Sequence, residues 1–313
     1  MSAGRGRRRR YPLLLAGGAM LALVLGVAGC GGSGSRGDAL VMVSTRDGDY
    51  ALYGMNADGG DQGRLTKEHG DTSTPSGVAF QIDPAYSPDG SRIAFASARE
   101  GTLDVYVMNA DGSDTRRLTS TPANDGQPTW SPDGRQIAFQ RDDGDHIYVM
   151  RSDGSGVRRL TNDLAPEGEP AWSPDGTWIA YARRTPGSEV QEVWLVRPNG
   201  QGRHQLTKLE STAYTPAWSP DGKTIAFAAR HNGIRFAIST IGVDGKGRRL
   251  VSYSSEDAFE PAWSPDGKTI AFSRGGSIVM ADPAGQQTVV TDPDGNDSSP
   301  DWNPRPTKEG EGN

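Results

Sequence analysis

One position recurs immediately before a proline six times along this chain, as Asp83, Gln127, Glu169, Thr215, Glu260 and Ser299. Its acids fall on alternate copies. A ring arrangement would gather three carboxylates at a channel mouth, able to hold a cation or grip a basic side chain. The plainer reading is a solvated acidic rim that serves solubility. Other chemistry finds little footing. His69, His146, His204 and His231 show no H-x-x-x-H or H-E-x-x-H pairing, so they read as exposed loop histidines and not as a zinc site. No G-x-S-x-G elbow and no G-x-x-x-x-G-K-S/T loop occurs. A D-x-D-x-D-G calcium loop is missing too, and Arg141-Asp142-Asp143-Gly144-Asp145 reads as a solvated hairpin tip. No catalytic residue, metal ligand or cofactor is assigned, and a cation at the mouth is the one exception the acids would allow.

The first thirty residues are addressed elsewhere than to a fold. Residues 1–10 carry five Arg and no acid, and the apolar or small run 13–29 ends at the sole cysteine, Cys30. This is the layout of a secretory signal. Val27-Ala28-Gly29-Cys30 resembles the bacterial lipobox, whose thiol is diacylated before it becomes the mature N-terminus. A single cysteine in an exported chain cannot form an internal disulfide, which also favours lipidation. The expected organisation is a signal peptide over 1–29, lipidated Cys30 with a flexible linker over 30–37, one domain over 38–303 and a disordered tail over 304–313. Export and lipid anchoring to the cell envelope follow, on the periplasmic or outer face of a membrane. Without residues 1–29, 28 basic residues face 39 acidic ones, a charge of −11 against −6 for the whole chain. Such a surface argues against nucleic acid as a partner.

The elements that must position the recurring residues announce themselves by repetition. PAYSPDGSRIAF starts at Pro84, PTWSPDGRQIAF at Pro128, PAWSPDGTWIAY at Pro170, and PAWSPDGKTIAF at Pro216 and Pro261. A shortened copy, PDWN, starts at Pro300. Ser-Pro-Asp-Gly is a hairpin turn, with Pro presetting φ and Gly taking the positive φ that follows. It joins PAWS to IAF. A third strand such as DVYVMN, then an Asp-Gly turn, leads to a fourth such as TRRLT. Four short antiparallel strands per roughly 42–46 residues make a propeller blade. Three strands before the first complete unit and one after the last combine into a further blade, giving an all-β, six-bladed propeller. Tyr86, Trp130, Trp172, Trp218, Trp263 and Trp302 recur at one position of the repeat and are placed to pack between blades.

The repeated PAWSPDG-x-x-IAF, I/V-Y-V-M, DG and R-R-L-T resembles the repeat of TolB-type propellers over residues 39–303. Related repeats occur in the propellers of prolyl-oligopeptidase and tricorn proteins, whose catalysis sits in a separate domain. The resemblance implies a periplasmic protein that binds a peptidoglycan-associated lipoprotein within the Tol–Pal system. TolB proteins also carry an α/β domain ahead of the propeller, whereas a seven-residue linker is expected here, so the resemblance carries the fold and a binding role. The expected partner is a protein or peptide with a basic surface, met by a monomer. A small molecule or glycan is the alternative, with Phe80, Tyr214, Tyr253 and Phe259 as its aromatic contacts. An enzyme using a channel metal on Asp83, Glu169 and Glu260 is the third reading.

Charge placement sharpens the first of these. The inter-blade loops (67–83, 120–127, 162–169, 208–215, 251–260 and 291–299) hold 14 acids against Lys67 and Lys208. They share a face with the loops between second and third strands. The tight turns lie on the opposite face, where, with flanking strand residues, 16 bases outnumber 12 acids. Within loop 72–83, Val78, Ala79, Phe80 and Ile82 form a possible contact patch or a lid on their own blade.

Overall fold

A computed structural model describes residues 39–66, 80–209, 211–231 and 233–305. The expected signal peptide, Cys30, the expected linker, His69, Val78, Ala79 and the expected tail from 306 lie outside the described residues.

The local turn chemistry explains why the strands form where they do. In Ser131-Pro132-Asp133-Gly134, the Ser131 hydroxyl accepts from the Gln136 amide at 2.9 Å and donates to Asp133 Oδ1 at 2.6 Å. Gly134 takes φ +69°, a conformation only glycine adopts freely. The same double use of serine recurs at Ser87, Ser173, Ser219 and Ser264. These bonds hold the turn aspartates below the usual carboxylate range, so their charge is employed within the turn. The outer strands, mostly two residues long, are fixed from the next residues of the repeat. Thr66 Oγ1 accepts from the Leu52 amide at 3.1 Å, and Thr119, Thr161, Thr207, Ser252 and Thr291 serve the same purpose.

Six four-stranded antiparallel sheets result, each running from an inner to an outer strand. We number the blades along the chain. Blade 1 joins the C-terminal strand Ser298–Trp302 to Leu40–Ser44, Ala51–Met55 and Gly63–Arg64, with Leu40 opposite Trp302. The inner strands of blades 2 to 6 are Gln81–Tyr86, Asp125–Trp130, Glu167–Trp172, Ala213–Trp218 and Ala258–Trp263. Closure by both ends of the chain is reinforced by Arg46, whose guanidinium meets the buried Asp297 carboxylate at 3.0 Å.

The core is distributed, with one apolar cluster at every junction between neighbouring blades. The second strands supply many of its large members: Phe95, Phe139, Tyr181, Phe227 and Phe272 are all fully buried. Each such ring contributes about 1.5–3 kcal/mol by removal from water. The recurring aromatics join these same clusters, each between its own blade and the one before. Trp130, Trp218 and Trp302 also donate their indole N–H to Ala85, Ala171 and Ala262 carbonyls of the preceding blade at 3.0–3.1 Å.

Candidate functional site

The six inner strands meet side by side around a central channel, each touching the inner strands of both neighbours. The recurring pre-proline residues sit within these strands and not on the loops at the rim, where the sequence had suggested them. Each adopts left-handed φ, from 48° at Ser299 to 56° at Glu169. In blades 2 to 6 a register shift brackets the position. These are β-bulges, and six non-glycine residues in one such conformation mark a built feature.

The bulge turns each side chain along the ring towards the next blade. Asp83 Oδ2 accepts from the Gln127 amide at 3.3 Å, Gln127 Oε1 from the Glu169 amide at 2.8 Å, and Glu169 Oε2 from the Thr215 amide at 2.5 Å. Glu260 Oε2 accepts from the Ser299 amide at 2.8 Å and from the Ser273 hydroxyl at 2.9 Å. Side-chain length decides which junctions are stitched. Thr215 and Ser299 are too short to reach across, and Thr215 Oγ1 is buried without a partner.

Other residues serve at the two remaining junctions. Between blades 1 and 2, Asp301 Oδ2 accepts from the Tyr86 amide at 2.7 Å. Between blades 5 and 6, Tyr214 stacks on Phe259 at 5.9 Å, and Phe236 packs within 5.3 Å of both. Sequence reasoning passed over Asp301. The available signal was its occupation of a repeat position held elsewhere by Ala85, Thr129, Ala171, Ala217 and Ala262.

All of these acids are half-buried. Burial pushes Asp83 up to about 7, helped by the Glu260 charge and opposed by the Gln127 amide. Glu169 is pushed to about 7 by burial, against the Thr215 amide, with the Glu260 and Asp83 charges adding to the rise. Asp301 reaches about 7 through burial alone, against the Tyr86 and Trp302 amides. Asp83, Glu169 and Glu260 thus feel one another electrostatically, and the wall gains from a proton or cation near neutral pH. Among the described residues, no three His, Cys, Asp or Glu side chains come close enough to hold a metal ion.

Two sequence expectations change. His146, placed on an exposed loop, is buried, with Nδ1 3.5 Å from Glu167 Oε2. The charge contrast between faces is also smaller. Arg64, Arg117 and Arg203, counted with the turn face, reach back to pair with Asp49, Asp104 and Glu167 on the loop side. Long guanidinium arms override their strand position. Of the proposed aromatic contacts, Phe80 packs on Tyr50 at 5.0 Å, and Tyr253 is 70% exposed and edge-on to His231.

The TolB beta propeller domain model matches residues 77–161 and 137–306. The chain belongs to that family. A Tol-Pal system protein TolB of Anaeromyxobacter dehalogenans is 60% identical over 45 residues, 14% of this chain and 10% of that protein. An uncharacterised peptidase, YuxL, of Bacillus subtilis is 41% identical over 73 residues, 23% of this chain and 11% of that one. These matched stretches therefore span about a tenth of the curated relatives. The structure of TolB from Acinetobacter baumannii superposes with a TM-score of 0.71 at 21% identity, covering 86% of this chain and 67% of that one.

Proposed function

We propose that this TolB-family propeller is an exported, envelope-anchored, non-catalytic binding module whose protein or peptide partner presents a basic group to the channel. The carrying observation is the ring of Asp83, Glu169 and Glu260, in which the Glu260 charge raises the proton affinity of both Asp83 and Glu169 inside a wall of backbone-bonded inner strands. A lysine or arginine side chain supplies the counter-charge the wall lacks. A relative named for the Tol–Pal system supports a role in an envelope assembly. The likeness to a protein named as a peptidase spans 73 residues, 23% of this chain and 11% of that one.

Binding of a cation competes with protons on Asp83 and Glu169, so affinity rises as pH passes through about 7. The test is fluorescence anisotropy of lysine- and arginine-containing peptides against glutamine-substituted controls, at pH 6 and pH 8. Glu169→Gln preserves the acceptor for the Thr215 amide and removes the charge. Basic peptides should bind, more tightly at pH 8, and Glu169→Gln should weaken them. Equal binding of basic and neutral peptides, or indifference to Glu169→Gln, sinks the reading. Acylation of Cys30 is a separate question, answered by the mass of the N-terminal peptide from membrane-extracted protein.

A further inference from the structure

The turn face of blade 3 holds a cleft of about 640 Å³ whose lining includes Arg135, Gln136, Arg151, Ser152, Asp153 and Arg158. Arg135 comes from the turn between the first two strands, and Arg151 and Arg158 flank the turn between the last two. All three residues are exposed, and the Asp133 and Asp153 carboxylates feel the Arg135 and Arg151 charges without an ion pair within 4.0 Å. Arg151 Nη1 reaches only the Ser155 hydroxyl at 3.2 Å, and Arg158 Nη2 only the Pro198 carbonyl at 2.6 Å. Arg135 makes no side-chain hydrogen bond or ion pair among the described residues. Of the other 18 described arginines, nine meet a carboxylate within 4.0 Å and nine do not, so what sets this cleft apart is that three such arginines line one cavity. Asp153, the one acid in the lining, already accepts from the Ser155 amide at 2.8 Å.

From three arginines lining one cleft we propose that the blade 3 cleft binds a phosphate monoester. Three arginines and one aspartate leave a lining charge that matches the roughly −2 of a phosphate monoester. Guanidinium groups suit phosphate oxygens because each offers paired donors in a plane. The volume falls in the range of small-ligand sites and admits the phosphate with a small polar body such as glycerol or a sugar. Val149, Met150 and Gly156 complete the lining, the first two with side chains buried in the clusters between blades. The site lies on the face opposite the inter-blade loops and stands independently of any peptide in the channel.

The same chemistry occurs in a soluble ester and in a phospholipid headgroup, so the test uses both. The full chain is titrated by calorimetry at 50 mM NaCl with glycerol 3-phosphate, with monomeric dihexanoyl phosphatidic acid, and with glycerate as a carboxylate control. Saturable binding of either phosphate is expected, with each of Arg135→Gln, Arg151→Gln and Arg158→Gln weakening it about 10-fold or more. Preference for glycerol 3-phosphate supports a soluble ligand, and preference for the short-chain lipid supports a headgroup. Binding of neither phosphate, equal binding of glycerate, or unchanged binding by the triple Gln variant overturns the proposal. All three positions are exposed, and unchanged circular dichroism and urea midpoints in the variants verify that folding is not what changed.

Discussion

Replacing Asp301 by Asn should convert a pH-dependent liability into a pH-independent contact. In the folded wild type, burial pushes the Asp301 carboxyl up to about 7 from its ordinary 3.8. The folded state therefore binds more protons than the unfolded chain between those values, and stability contributed by this group is present at low pH and lost as pH rises towards 7. Three units at 1.36 kcal/mol each set an upper bound of about 4 kcal/mol. Water in the channel screens part of this, leaving about 2 kcal/mol. Asn keeps an oxygen for the Tyr86 amide, which now meets Asp301 Oδ2 at 2.7 Å, and carries no charge at any pH. Urea denaturation should show Asp301→Asn stabilised by about 2 kcal/mol at pH 8 and within about 0.5 kcal/mol of wild type at pH 3.5, where the unfolded carboxyl is protonated too. Denaturant slopes should match, so that midpoint shifts report stability. An equal effect at both pH values would refute the argument, because the carboxylate would then not change ionisation across that window.

Three further expectations rest on single contacts. Thr215→Gln lengthens the side chain at the unstitched junction between blades 5 and 6 and supplies an acceptor for the Glu260 amide, which should raise the urea midpoint by the equivalent of about 1 kcal/mol. Thr66→Val removes the oxygen that accepts from the Leu52 amide at 3.1 Å and should cost about 1–2 kcal/mol, with Thr66→Ser recovering most of it in the same assay. Trp130→Phe loses the 3.1 Å bond to the Ala85 carbonyl, whereas the Trp263 indole N–H is buried with no acceptor. Thermal unfolding should therefore show Trp130→Phe less stable by about 1 kcal/mol more than Trp263→Phe.

The sequence alone determined everything that is settled within a few residues. Ser131, Asp133, Gly134 and Gln136 form their turn from neighbours no more than five positions apart, so the repeated SPDG could be read directly as a hairpin. Counting three leading strands and one trailing strand then required blade 1 to close with both ends of the chain, as Leu40 opposite Trp302 shows. The composition of the ring was legible too, since its six residues precede a proline at a fixed place in the repeat.

Tertiary structure decided what those residues do. Each link of the ring joins residues 39 to 46 positions apart, and the link from Asp301 to Tyr86 spans 215. Whether a side chain crosses a junction depends on its reach from a left-handed bulge: Glu and Gln span the gap, Thr and Ser do not. The same dependence on reach moved Arg64, Arg117 and Arg203 onto the loop side and gathered Arg135, Arg151 and Arg158 into one cleft. A repeat fixes where a residue starts in the blade. Only the packed neighbours fix which charge its far end meets.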